Sequence, residues 1–127
     1  MTATGESNPF ALNRDELTDR MMGSVDIAQR MLRQFLDSSQ AELDVLESTI
    51  RIGDADAIAS LVHRHKGTAK TLAAPQIAAL SSMMEKQARN GMVSDLLGIL
   101  EDLRLAHVDL EQAVQAWVSE SSDGVIA

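Results

Sequence analysis

The 127-residue chain contains no cysteine, which excludes a disulfide framework and a thiolate metal site and is compatible with a reducing cytosol. Tyrosine is absent too, and there are only two phenylalanines, one tryptophan and two prolines. The 45% hydrophobic content comes almost entirely from Leu, Ala, Ile, Val and seven Met, which is a helix former's composition. Nowhere do 18 apolar residues run together, so no segment is expected to span a membrane. The opening MTATGESNPF has neither the basic nor the apolar region of a signal peptide, so a cytoplasmic location is expected. There is no Gly-rich phosphate loop for ATP, no serine elbow, and no Glu-x-x-His pair for a di-metal bundle site, so neither a kinase nor a metal centre is expected.

Positive charge is also scarce. The formal net charge of −8 argues against a nucleic-acid partner, because phosphate backbones select basic surfaces. Its distribution is uneven, however. Between Leu61 and Gly91 five basic residues (Arg64, Lys66, Lys70, Lys86, Arg89) meet one acidic residue, Glu85, a local surplus of four positive charges that leaves −12 elsewhere.

Residues 1–11 are polar, include Gly5 and Pro9 and show no period, and read as a flexible tail. Asn13 with Glu16 forms a capping-box-like start for a short helix that Gly23 closes. From Val25, apolar residues recur at 28, 32, 35, 43, 46 and 50, a stripe interrupted only at Ser39, and predict one long helix over about 24–52 with a possible bend near Asp37–Ser39. A third pattern runs from about 54 to 72, and a fourth from Pro75 to Asn90 with Ile77, Leu80, Met84 and Ala88 inward. A last helix over about 92–119 carries Val93, Leu96, Leu100, Leu103, His107, Leu110, Val114 and Trp117 on one seam, and residues 120–127 are expected to fray. Four amphipathic helices on short loops predict an all-α, antiparallel up-down-up-down four-helix bundle over 12–119, with the short first helix covering one end. The methionines are expected to fill gaps in its core.

The segment LVHRHKGTAKTLAA, Leu61 to Ala74, organises the rest. At about 100° per residue, Ile58, Leu61, Val62, His65, Ala69 and Leu72 share one stripe, while His63, Gly67 and Lys70 lie on the other side. His63 is therefore expected to face solvent, and His65 and His107 the core. A glycine inside a helix costs up to about 1 kcal/mol relative to alanine, so Gly67 asks for a reason, and clearance for another protein's surface one turn from His63 supplies one. His63 and His65 point to opposite sides and cannot jointly grip a zinc ion.

His63-Arg64-His65-Lys66-Gly67 resembles the H-x-L-K-G signature of histidine-containing phosphotransfer (HPt) domains. Leu72 and Ala74 fall where that family's leucine-glycine-alanine helix ending falls, and Leu80–Arg89 resembles its next helix. Two residues depart from the pattern: His65 stands where leucine is usual, and Ala73 where glycine is usual, which suggests a helix end closed in a different way. The resemblance implies a four-helix bundle that carries phosphoryl groups without an ATP site of its own. It implies that the second ring nitrogen of His63 accepts phosphoryl from the aspartyl phosphate of a response-regulator receiver domain and passes it on. Imidazole suits the task because an unperturbed pKa of about 6.5 leaves a neutral nucleophilic nitrogen at cellular pH. By the same resemblance Lys66 neutralises phosphoryl oxygens, Lys70 and Arg64 add positive charge, Gly67 gives clearance, a nearby polar side chain or water orients the first ring nitrogen, and no cofactor is needed beyond Mg²⁺ brought by the receiver. The partners implied are a receiver domain and a hybrid sensor histidine kinase, and a monomer is expected. The competing reading is a docking or decoy module that binds a receiver or sensor kinase without being phosphorylated. The dimerisation bundle of a sensor kinase also carries a helical histidine, but follows it with an acidic residue and a proline, which Arg64, His65 and Lys66 do not match.

Overall fold

The computed structural model describes residues 10–126, with side chains as far as Ser121. It contains five helices and, among the described residues, no strand: α1 (Arg14–Arg20), α2 (Val25–Ile52), α3 (Ala55–Thr71), α4 (Pro75–Arg89) and α5 (Leu96–Ile126). The first three start as their sequence demands. The side chains of Asn13, Ser24 and Asp54 each accept the backbone N–H three residues on, from Glu16, Ile27 and Ala57, which satisfies a donor that the first helical turn leaves free. The fourth helix has no side-chain cap and begins instead on Pro75, whose preset φ suits the first turn.

The connections between α2, α3, α4 and α5 are only a few residues long, so neighbours run antiparallel. Each packs on the next and α5 returns to α2, which closes a four-helix ring around one continuous apolar core. The seam of α5 lies in that core from Leu96 to Trp117, as its period requires, together with Ile58, Val62 and Ala69 of α3 and Leu72 just past its end. No helix among the described residues is long and apolar enough to cross a membrane.

Departures from the sequence reading have local causes. The expected N-terminal tail gives way by its last two residues: Ala11 is buried, and the Phe10 carbonyl accepts the Gln76 N–H at 2.7 Å while the Asn13 N–H reaches the Ala73 carbonyl at 2.9 Å. Residues 1–9 lie outside the described part of the chain. The last helix starts at Leu96 because left-handed Gly91 (φ 73°) and the Met92 N–H, bonded back to Gln87, use the preceding residues to close α4. It then continues to Ile126 where fraying from 120 was expected; Glu120 is tied to Arg14 at 2.8 Å and Ser121 to Gln29 at 3.1 Å. Ser39 does not break the second helix. Its hydroxyl donates to the Phe35 carbonyl at 2.6 Å, so a buried serine is satisfied within the stripe. Of the described methionines only Met84 is buried in the core, whose volume comes from leucine, isoleucine and alanine; Met22, Met31, Met83 and Met92 are exposed.

The α3–α4 corner was expected to close differently for want of a glycine, yet Ala73 adopts the left-handed conformation itself (φ 56°). The Ala73 N–H bonds to the Lys70 carbonyl and the Ala74 N–H to Ala69, the paired bonds of a Schellman ending. Arg20 of α1 adds its guanidinium to the carbonyls of Lys70 and Thr71, so the short helix caps the end of α3 as well as covering the core.

Candidate functional site

His63 sits at the middle of α3, eight residues from either end, on the face its period assigns to solvent. Its side chain is 61% exposed. One ring nitrogen is nonetheless held: Nδ1 lies 2.9 Å from Oε2 of Glu85 on α4. Among the described residues Nε2 has no hydrogen-bond partner and faces outward.

Glu85 is the residue around which the site is assembled. It is 8% exposed and receives four contacts on two oxygens. Lys66 reaches Oε1 at 2.6 Å, while Oε2 takes His63 together with Nε and Nη2 of Arg89 at 2.9 and 2.7 Å. The spacing explains the convergence: His63 and Lys66 are three apart on α3, Glu85 and Arg89 four apart on α4, so each pair shares one helix face and the two faces meet. The hydrogen bond from Lys66, then those from Arg89 and His63, outweigh burial and hold the Glu85 carboxyl well below its ordinary value, at about 2. An ionised Glu85 only accepts hydrogen bonds, so the proton of a neutral His63 ring resides on Nδ1 and the lone pair on Nε2.

Lys66, expected from its place in the motif to neutralise phosphoryl oxygens, is 19% exposed and bound to Glu85. Arg64 and Lys70 are exposed, and among the described residues their side chains make no hydrogen bond or ion pair. Gly67 follows His63 by one turn, and a Cβ built there meets nothing within 4 Å. No internal contact demands glycine at this position. An open groove of about 750 Å³ runs beside it between α2 and α3, walled by Met31, Gln34 and Ser38 on one side and His63, Gly67 and Thr71 on the other.

The sequence names no partner for Nδ1, and it places Glu85 and Arg89 only in a basic region and in a helix that resembles the family's next one. The signal for both lay in the i, i+4 spacing of Glu85 and Arg89 on a helix whose Ile77, Met84 and Ala88 face the core. The other two histidines are buried, as their stripes predict. His65 is 6% exposed and His107 5%, and their Nε2 atoms meet at 2.9 Å beside the ring of Phe35. Burial lowers the pKa of His65 against the pull of Glu42, and brings His107 down to about 4. Among the described residues no group of three or more His, Asp or Glu side chains is arranged to hold a metal ion.

Residues 30–120 match the Hpt domain family. No curated protein matches the chain. Among solved structures it is similar to histidine-containing phosphotransfer protein B (HptB) from Pseudomonas aeruginosa PAO1, with a TM-score of 0.75 and 20% identity over 88% of this chain and 96% of that one. It is equally similar to the HPT domain of a sensor hybrid histidine kinase from Shewanella, with a TM-score of 0.74 and 21% identity over 89% of this chain and 97% of that one. At such identities the likeness concerns the fold.

Proposed function

The chain belongs to the Hpt domain family, and from that premise we propose that it serves two-component phosphotransfer as a phosphoryl carrier, with His63 as the phosphorylated residue. The observation that carries this reading is the division of labour on one ring: Nδ1 held by Glu85 at 2.9 Å, Nε2 free in solvent. The donor is the aspartyl phosphate of a receiver domain, on a response regulator or a hybrid sensor kinase. The lone pair of Nε2 attacks phosphorus, the bond from phosphorus to the aspartyl oxygen breaks, and the aspartate leaves as carboxylate. Positive charge then develops on the imidazole ring, and the Glu85 carboxylate, already bonded to Nδ1–H, stabilises it. The reverse sequence returns the phosphoryl group to another receiver aspartate.

The remaining residues support those steps. Lys66 and Arg89 fix the Glu85 carboxylate and keep it ionised. Lys70 and Arg64, exposed and without a side-chain partner among the described residues, attract an acidic receiver and lie near enough in sequence to His63 to face its phosphoryl oxygens. Gly67 leaves room for the receiver to close over the ring, with the α2–α3 groove beside it. The receiver supplies the Mg²⁺, which neutralises phosphoryl charge, so this chain needs no cofactor, and it acts in the cytoplasm as a monomer.

The test is to incubate the purified protein and a His63→Gln variant with Mg²⁺ and radiolabelled phosphorylated receivers, scoring acid-labile, base-stable label. Label on the wild type alone supports the carrier reading. Label that persists in the variant moves the site to another histidine, and none on either protein with any cognate receiver favours a docking module.

A further inference from the structure

The two buried histidines form a chain of contacts that their own protons cannot fill. His107 Nδ1 lies 2.7 Å from the Leu103 carbonyl, His107 Nε2 lies 2.9 Å from His65 Nε2, and His65 Nδ1 lies 3.2 Å from Oε1 of Glu42. Each contact needs one hydrogen, and two neutral imidazoles carry two. The carbonyl can only accept, so His107 spends its proton at Nδ1 and presents a bare Nε2. His65 must then donate from Nε2, which leaves its Nδ1 lone pair facing a carboxylate oxygen. The other tautomer of His65 satisfies Glu42 and sets two bare Nε2 atoms against each other at 2.9 Å inside the core. In either arrangement one hydrogen is missing.

We propose that His65 and His107 constitute a single-proton binding site in the bundle core, filled from solvent between His65 Nδ1 and Glu42, whose occupancy decides whether the Glu42 carboxylate is bound to α3 or released into the groove beside His63. Nothing in this inference depends on phosphotransfer at His63. Loading is a proton transfer: hydronium gives its proton to the Nδ1 lone pair and leaves as water, and His65 becomes an imidazolium with both nitrogens donating. A second proton has no place, since His107 Nε2 is occupied by the His65 N–H and its ring is buried.

Access and surroundings fit such a site. His65 and Glu42 both line a cavity of about 430 Å³ between α2 and α3, together with Leu61, Arg64 and Thr68. Glu42 also lines the groove that holds His63, and at 58% exposed it is free to swing. The charged and titratable groups facing the two rings are Glu42 from α2, Arg64 on α3 at the cavity wall, and Arg104 and Glu111 from α5, the last beside His107 and held by Arg33 of α2 at 2.6 Å. Arg104 is itself engaged by Asp44 and Glu47 at 3.1 and 3.0 Å, so Glu42 is the carboxylate that answers a charge on His65. Phe35 covers both rings from α2, at centroid distances of 5.1 and 5.7 Å.

The test is a ¹⁵N-resolved pH titration of the histidine rings in the full chain, beside Glu42→Gln and His65→Leu variants. Expected is a His65 ring that gains one proton at Nδ1 as pH falls, with Nε2 still protonated, while His107 stays a neutral Nδ1–H tautomer throughout the range in which His65 loads. In Glu42→Gln the His65 midpoint falls by about one pH unit, since the charge that favours the imidazolium is gone. His65→Leu, checked as folded by circular dichroism, loses that titration and no other. The proposal is overturned if His107 titrates together with His65, if neither ring takes a proton before acid unfolding, or if Glu42→Gln leaves the midpoint in place.

Discussion

Oε2 of Glu85 accepts Nδ1 of His63 and the guanidinium of Arg89 at the same time, at 2.9 Å and 2.7–2.9 Å, so one carboxylate oxygen on α4 joins the imidazole of α3 to a cation beside it. The imidazole therefore has a fixed orientation despite its exposure. Replacing Glu85 by Gln keeps the shape and removes the charge. An amide can still accept from Nδ1–H, but it stabilises a developing imidazolium poorly. Phosphoryl uptake by Glu85→Gln is expected to slow by about 10- to 100-fold in the receiver assay, which corresponds to losing about 1–3 kcal/mol of transition-state stabilisation. An unchanged rate in a folded variant removes Glu85 from the mechanism.

Acid stability is expected to decline in two limbs. Burial lowers the folded pKa of His107 from 6.5 to about 4, so the unfolded chain binds protons first and stability falls as pH drops from 6.5 towards 4. Glu85 is depressed from 4.5 to about 2, mainly by Lys66, so its contribution is complete above pH 4.5 and disappears between there and pH 2. Each limb is worth on the order of 1–3 kcal/mol. Urea unfolding across this range checks it: a His65→Leu/His107→Leu double variant flattens the upper limb, and Glu85→Gln flattens the lower.

Gly67 separates stability from function. A Cβ there meets nothing within 4 Å among the described residues, so Gly67→Ala is expected to stabilise the fold by up to about 1 kcal/mol. The same methyl group stands where the receiver is proposed to close, and phosphoryl transfer is expected to slow while the melting temperature rises. A variant that gains stability and transfers at the wild-type rate removes the clearance argument.

Ala73 offers a gain without that cost. A left-handed alanine costs about 1–2 kcal/mol, of which glycine's greater freedom in the unfolded chain returns about 0.5–1. Because the Ala73 methyl is itself buried, at 4% exposed, Ala73→Gly gives up part of that relief and is expected to raise stability by no more than about 0.5 kcal/mol, read as a small upward shift of the urea midpoint at constant slope. The Schellman bonds and the Asn13 contact use backbone atoms and are unaffected.

The bundle was legible in the sequence because period does not depend on distant partners. The α5 seam from Leu96 to Trp117 and the outward face of His63 both follow from 3.6-residue geometry alone. Ala73 misled for a complementary reason: side-chain type biases a backbone angle without fixing it, and the corner's hydrogen bonds imposed the left-handed state. The length of α5 was misjudged because its last turns depend on Arg14 and Gln29, more than ninety residues away. The site was half readable. His63, Lys66 and Gly67 stand in one motif, but the role of Glu85 depends on how α4 rotates against α3, and the pairing of His65 with His107 on which helices are neighbours. Lys66 shows the limit most clearly, since its motif position implies a positive charge for phosphoryl oxygens and only the packing of α4 reveals its counter-ion.

The two ends of α3 are fastened by different means. Asp54 pins the first turn by a side-chain bond, and the Ala73 turn with the Arg20 guanidinium pins the last. Helices melt inward from their ends, so the peptide groups farthest from both terminations open least often. His63 occupies that midpoint. Its imidazole is open to water while its backbone amide is expected to be among the slowest in the chain to exchange with deuterium. A partner then meets a reactive side chain mounted on a rigid stretch of chain, and little of the entropy of docking needs to be spent on ordering it.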